Sequence, residues 1–187
     1  MFTPVLAEMG MARGLFITGT DTGIGKTRAT VSLMRELKSW GLNVLGMKPV
    51  ATGAEWREGR LVNADALAIQ AEASWEVPYE MVNPFIYEPP VSPHSAARQA
   101  GEIINLEHIA ACYRELAQTA DCVVVEGVGG WRVSLNQDQD VAELARILGL
   151  PVLMVVGLKL GCINHARLTQ SAIPESVFAG WVANHLL

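Results

Sequence analysis

Five short runs dominated by Val, Leu, Ile and Phe constrain this chain more than any other feature: GLFIT (residues 14–18), NVLGMKPV (43–50), DCVVVEG (121–127), LPVLMVVG (150–157) and VFAGWVAN (177–184). They are nearly continuous in apolar character, as strands covered on both faces must be. Segments with helical periodicity separate them: TRATVSLMRELKSW (27–40), NADALAIQAEA (63–73), NLEHIAACYRELAQTA (105–120), VAELARILG (141–149) and NHARLTQSA (164–172). Strand and helix in alternation lead to an α/β fold, a parallel sheet with helices on both faces. The first helix puts Val31, Met34 and Leu37 on one side and stops at Gly41; Asn63 reads as the cap of the second. The polar stretch 51–62 reads as a loop, and 82–93, with four prolines, as an irregular excursion.

A chain of 187 residues with 50% hydrophobic residues supports one domain with a full core. No internal repeat, linker or low-complexity segment interrupts it. A net charge of -5 argues against a nucleic-acid surface, which needs clustered Lys and Arg. Cys112, Cys122 and Cys162 are odd in number, far apart and without a C-x-x-C pair, so they predict neither a disulfide framework nor a zinc site and fit a reducing cytoplasm. The longest apolar run, 150–158, is about half of the ~18 residues of a membrane span, so no membrane segment is expected. Residues 1–13 lack a secretion-signal pattern and read as a flexible leader, with Met11 an alternative start.

Between the first strand and the first helix lies GTDTGIGKT, residues 19–27. It resembles a P-loop with one residue too many, since Thr20 to Ile24 put five residues where the common motif has four. Backbone N–H groups of a glycine-rich turn, followed by a helix N-terminus, form a concave anion site. Lys26 then suits a terminal phosphate and Thr27 a magnesium ion. A hard cation also wants a carboxylate at the end of a neighbouring strand, and Glu126 follows Val123-Val124-Val125. Lys48 precedes Pro49 and belongs at the carboxyl end of the second strand, where ligands gather in open parallel sheets. Taken alone, Asp65 at a helix start reads more readily as a capping or dipole-compensating acid than as a metal ligand, and Lys48 is similarly open.

Seven fragments in order, GTDTGIGKT, GMKPVATG, NADALA, VNPF, VEGVGGW, VVGLKLGCINH and GWVAN, closely resemble the dethiobiotin synthetase family over residues 14–184. That family's loop reads G-T-D-T-x-x-G-K-T, with the same five-residue insert. The resemblance implies a single P-loop NTPase-like domain that uses ATP, CO2 and Mg2+ to convert 7,8-diaminopelargonic acid into a cyclic urea. It implies catalytic roles for Lys48, Lys26 and Thr22, with a carbamate attacking the γ-phosphate before ring closure. Thr20, Asp21, Gly23, Ile24, Gly25, Lys26, Thr27, Glu126 and Gly129 would surround the nucleotide, and the amide of Asn184 would read the adenine edge. Thr27, Asp65 and Glu126 would carry Mg2+. Thr52 would bind phosphate or carbamate oxygens, while Gly161, Cys162 and Asn164 would meet the substrate's carboxylate across a homodimer interface.

Two features differ from the family pattern. Gly23 stands where some members carry an acid, and the chain stops at Leu187, short of the further strand and loop that close the adenine pocket in the family. A catalytically silent member is therefore one alternative. A partner-binding nucleotide switch is another, but its K-G-G-x-G-K-T loop carries an extra lysine where this chain has Asp21.

Overall fold

The computed structural model describes residues 14–186; residues 1–13, expected to be a leader, and Leu187 lie outside them. Strand β1 (Gly14–Gly19) leads through the glycine loop into helix α1 (Lys26–Ser39) and then β2 (Val44–Met47). Next come β3 (Val50–Thr52), the hairpin β4 (Glu55–Arg57) and β5 (Arg60–Val62), α2 (Ala64–Ala71), α3 (Tyr79–Val82) and β6 (Phe85–Tyr87). Helices α4 (Pro93–Gln99) and α5 (Leu106–Thr119) precede β7 (Cys122–Glu126), α6 (Val141–Leu148), β8 (Val152–Leu158), α7 (Cys162–Ala172) and β9 (Phe178–His185).

The five expected strands form one parallel sheet in the order β2-β7-β1-β8-β9. Every residue of β1, β2 and β7 is buried, so both faces are covered, as their apolar runs require. The buried side chains make one contiguous cluster, with Phe16, Ile17, Leu45, Val124 and Val155 at its centre. From β1 the chain leaves towards β2, whereas from β7 it crosses β1 to reach β8. Adjacent strands whose connections depart in opposite directions open a crevice at their carboxyl ends. The glycine loop and Glu126 sit at that switch point.

Local chemistry sets the helix boundaries. Asn63 Oδ1 accepts from the N–H groups of Asp65 and Ala66, Asn105 caps α5 in the same way, and Asp140 accepts from the Glu143 N–H to start α6. Gly149, with a φ of 65°, ends α6 in the left-handed conformation. The buried side of α1 is Thr30, Leu33, Met34 and Leu37. Met34 and Leu37 face inward as expected, whereas Val31 is only half-buried and Thr30 and Leu33 complete the buried side.

The second strand is shorter than expected because Pro49 has no N–H to give the ladder. The Lys48 N–H donates instead to Val82 O, and residues 50–52 turn away as β3 to pair in parallel with β6. The excursion after Val82 is thus partly ordered, tied back by the Asn83 amide on Lys48 O at 2.7 Å. The polar stretch after Thr52 also holds β4 and β5, joined by Glu58 and Gly59 at positive φ, as a two-residue hairpin turn demands. Among the described residues no helix is long and apolar enough to cross a membrane.

Gly46 is where α1 and α2 both press onto β2: a Cβ there would lie 2.3 Å from Ile69 Cγ2 and 2.9 Å from Met34 Cε. Overpacking at such a site costs about 1–3 kcal/mol. Gly46→Val is therefore expected to lower the Tm by roughly 2–10 °C in differential scanning calorimetry, and an unchanged Tm would contradict this packing.

Candidate active site

The glycine loop is held from beneath before it meets any ligand. Thr20 N–H donates to Val155 O on β8, and the Ile24 side chain is buried against Gly157, where a Cβ would stand 2.8 Å from Ile24 Cγ2. Gly25, at a φ of 84°, turns the chain into α1, and a Cβ on it would collide with the Asn184 amide. That amide donates to Ile24 O at 2.9 Å, tying β9 to the loop. The Lys26 ammonium folds back on its own loop, 2.8 Å from Asp21 O.

Facing the loop is a carboxylate with no exposed surface. Glu126 is 0% exposed. Its Oε1 accepts from Thr27 Oγ1 at 2.9 Å and from Lys48 Nζ at 2.5 Å, and its Oε2 accepts from Thr30 Oγ1 at 2.8 Å. Lys48, itself 4% exposed, has a second partner in Asp65 Oδ2 at 3.1 Å. Asn63 performs the capping, which leaves the Asp65 carboxylate free for this contact. Asp65 therefore does not cap α2; it lies in the first turn, where its charge suits the helix dipole, and its carboxylate faces the Lys48 ammonium.

The charges shape one another. Burial drives Lys26 down to about 8, and the positive charge of Lys48 adds to the effect. Burial also disfavours the Lys48 ammonium, but the Glu126 and Asp65 carboxylates outweigh it and hold the group above the ordinary lysine value. Asp65 is opposed by burial and is nevertheless held below the usual carboxylate range by Lys48. Asp21 is lowered by its hydrogen bond from Lys159, at 3.1 Å across the loop.

These groups line one cleft of ≈ 680 Å³, into which Thr22, Gly23, Gly25, Lys26, Thr27, Lys48, Thr52, Asp65, Glu126 and Gly129 all face. Thr20, Asp21 and Ile24 do not line it, nor does Asn184. Gly161, Cys162 and Asn164 lie outside it, at the exposed start of α7. The sequence reading missed part of the wall: Asn63, Val91, Ser92, Val128 and Val133. Ser92 precedes a proline at a helix start, a signal that was available, whereas nothing in the sequence brings the valines to this cleft. Thr30 was missed as well, although it lies three residues from Thr27 and so on the same side of α1.

The oxygen donors present, the Thr27 hydroxyl and the Asp65 and Glu126 carboxylates, fit a hard cation such as Mg2+. Among the described residues no group of three or more His, Cys, Asp or Glu is placed to hold a metal by itself.

Comparison with known proteins identifies the family. A family model described as "AAA domain" matches residues 13–180. The "ATP-dependent dethiobiotin synthetase BioD" of Aromatoleum aromaticum is 47% identical over 176 residues, 93% of this chain and 78% of that protein. Its namesake in Nitrosospira multiformis is 48% identical over 180 residues, 95% of this chain and 78% of its own length. The chain belongs to the ATP-dependent dethiobiotin synthetase family. Solved structures agree on the fold: a ParA family ATPase from Chlorobium tepidum has a TM-score of 0.53 at 12% identity, covering 94% of this chain and 74% of its own. A BceF tyrosine kinase domain has a TM-score of 0.53 at 16% identity, covering 100% of this chain and 74% of its own. At such identities the likeness concerns the fold alone, so dethiobiotin synthetase membership rests on the sequence relatives.

The lowered Lys26 has a measurable consequence for nucleotide binding. With its value lowered to about 8, the amine is increasingly deprotonated above that pH, and a bound polyphosphate favours the ammonium. Binding of ATP at pH 9 should therefore take up as much as about one proton per site, read by calorimetry in two buffers of different ionisation enthalpy. Lys26→Arg, charged throughout, should remove that uptake. Equal uptake by both proteins would contradict the assignment.

Proposed function

We infer that this protein closes the cyclic urea of dethiobiotin from 7,8-diaminopelargonic acid, CO2 and ATP. The observation that carries the reading is Lys48: a buried ammonium, held charged by Glu126 and Asp65, beside the P-loop lysine in one cleft. The chemistry requires that arrangement. One amine of the substrate takes up CO2 as a carbamate, and a carbamate oxygen then attacks the γ-phosphorus while ADP leaves. The second amine attacks the carbon of the resulting mixed anhydride, and phosphate departs with closure of the ring. An anion attacking an anion needs fixed positive charge at the meeting point and exact positioning of the two reactants.

In this reading Lys26 draws the γ-phosphate into the loop, and Lys48 steadies the carbamate and then the anhydride. Thr22 and Thr52, which both line the cleft, donate to phosphate and carbamate oxygens. The backbone of Gly23, Ile24 and Gly25 cradles the phosphates; Thr20, Asp21 and Gly129 border the nucleotide, and Asn184 recognises adenine beside the loop. Thr27, Asp65 and Glu126 would hold Mg2+, which supplies charge neutralisation at the β- and γ-phosphates.

The substrate's carboxylate is left to Gly161, Cys162 and Asn164 of a second copy of the chain. Helix α7 buries none of its residues, and the surface around it exposes Leu160, Ile163 and Leu168, which supports a homodimer through this face. Three free cysteines and the use of ATP fit a cytoplasmic location.

Purified protein given diaminopelargonic acid, bicarbonate, ATP and Mg2+ should form dethiobiotin in step with ADP, followed by mass spectrometry. Lys48→Ala should keep nucleotide affinity within about threefold while turnover falls by roughly 10²–10³. Turnover at the wild-type rate in that variant would remove Lys48 from the mechanism, and a folded wild-type protein that binds ATP without forming product would overturn the reading itself.

A further inference from the structure

Glu126 is held at both oxygens, and the two holds differ in kind. Oε1 meets Thr27 and Lys48, which both line the cleft and face incoming ligands. Oε2 meets Thr30, which is 0% exposed, does not line the cleft and touches nothing that arrives there. Thr27 and Thr30 are three residues apart on α1, so one helix face presents two hydroxyls to one carboxylate, one to each oxygen. The last torsion of a glutamate is broad and roughly two-fold, and a carboxylate held at one oxygen still turns about it. A second contact on the other oxygen removes that freedom.

Thr30 is otherwise an uneconomical choice inside a helix, being β-branched and carrying a hydroxyl into a dry interior. Its Oγ1 also lies 3.0 Å from Lys26 O, the usual resting place of a helical threonine hydroxyl. With a single proton to give, it favours the charged acceptor at 2.8 Å over the neutral carbonyl. Building on the proposed role of Glu126, we propose that Thr30 is a positioning residue: it pins Oε2 so that Oε1 stays aimed into the cleft when a magnesium nucleotide engages Thr27. It never touches substrate and acts only through the carboxylate.

The test compares wild type, Thr30→Val and Thr30→Ser by calorimetric titration with ADP, with and without Mg2+, alongside steady-state turnover. Valine keeps the shape without the donor, and serine keeps the donor. Loss of a hydrogen bond to a metal-binding carboxylate costs about 10–100-fold in metal affinity or activity. Thr30→Val is expected to lose about that much of the affinity gained from Mg2+, with Mg2+-free ADP binding unchanged, and kcat should fall more than the KM for diaminopelargonic acid rises. Thr30→Ser should stay within about threefold of wild type on every count. In a Glu126→Gln background, Thr30→Val should cause no further loss of Mg2+-dependent binding. Wild-type Mg2+ enhancement in Thr30→Val, equal losses in both Thr30 variants, or a full loss persisting without the Glu126 carboxylate would each overturn the proposal. Because ADP binding needs no turnover, the result stands apart from whether dethiobiotin is the product.

Discussion

The ion pair between Lys48 and Glu126 is the constraint around which the site is arranged. Two charges shut away from water are costly, and a pair of this kind is sustained only when the geometry is good and the remaining lone pairs are satisfied. Here Glu126 accepts from three side chains and Lys48 donates to two carboxylates, so neither is left with an unmet charge. The sheet supplies the placement. Residues at the ends of neighbouring strands β2 and β7 converge there, with Met47 and Val125 in register just before them. Pro49 then takes the chain off the ladder, and Lys48 turns towards the cleft instead of continuing along the edge.

The same pair explains why two lysines so close together behave differently. Lys48 has carboxylates on it and is raised above its ordinary value; its contribution to stability is present below the unfolded lysine value and is lost as the pH climbs through the folded one. Lys26 is held by a backbone carbonyl and has no carboxylate hydrogen-bonded to it, so burial prevails and its ammonium is poised to accept an anion. A site that holds one cation between carboxylates and leaves another with only a neutral carbonyl is prepared for a ligand bearing several negative charges. The centre, on β1 and β7, is also the most deeply buried part of the sheet, whereas the rim on β9 and α7 is half-exposed or exposed. Such a rim has fewer contacts to resist local opening, and it is there that Asn184 anchors the edge strand to the loop.

Much of this was legible in the residues because each signal was local. The five sheet strands announced themselves as unbroken apolar runs, the anion site as glycines between a strand and a helix, and Glu126 as an acid ending Val123-Val124-Val125. Lys48 followed from the proline after it. What the sequence hid depends on distant partners. Strands β3 and β6 have three residues each and exist because they meet each other, more than thirty positions apart. The valines of the cleft wall look like any other valine until the fold brings them together. Thr30 reads as a weak helix former until a carboxylate from β7 is placed opposite it. On α1 the expected Met34 and Leu37 do face inward, but Val31 is displaced from the buried side by Thr30, a threonine serving Glu126.

The central claim is that two carboxylates, the buried Glu126 and the half-buried Asp65, keep a buried lysine charged at the meeting point of the strands. Lys48 can be observed directly by carbon-detected NMR of the protein with 13Cε-labelled lysine, its signal assigned by Lys48→Arg, as the pH is raised. The account predicts that Lys48 is still predominantly an ammonium at pH 10.5, the ordinary lysine value, since its own is raised above that. A Lys48 that loses its proton below that value, as burial alone would make it do, would contradict the account.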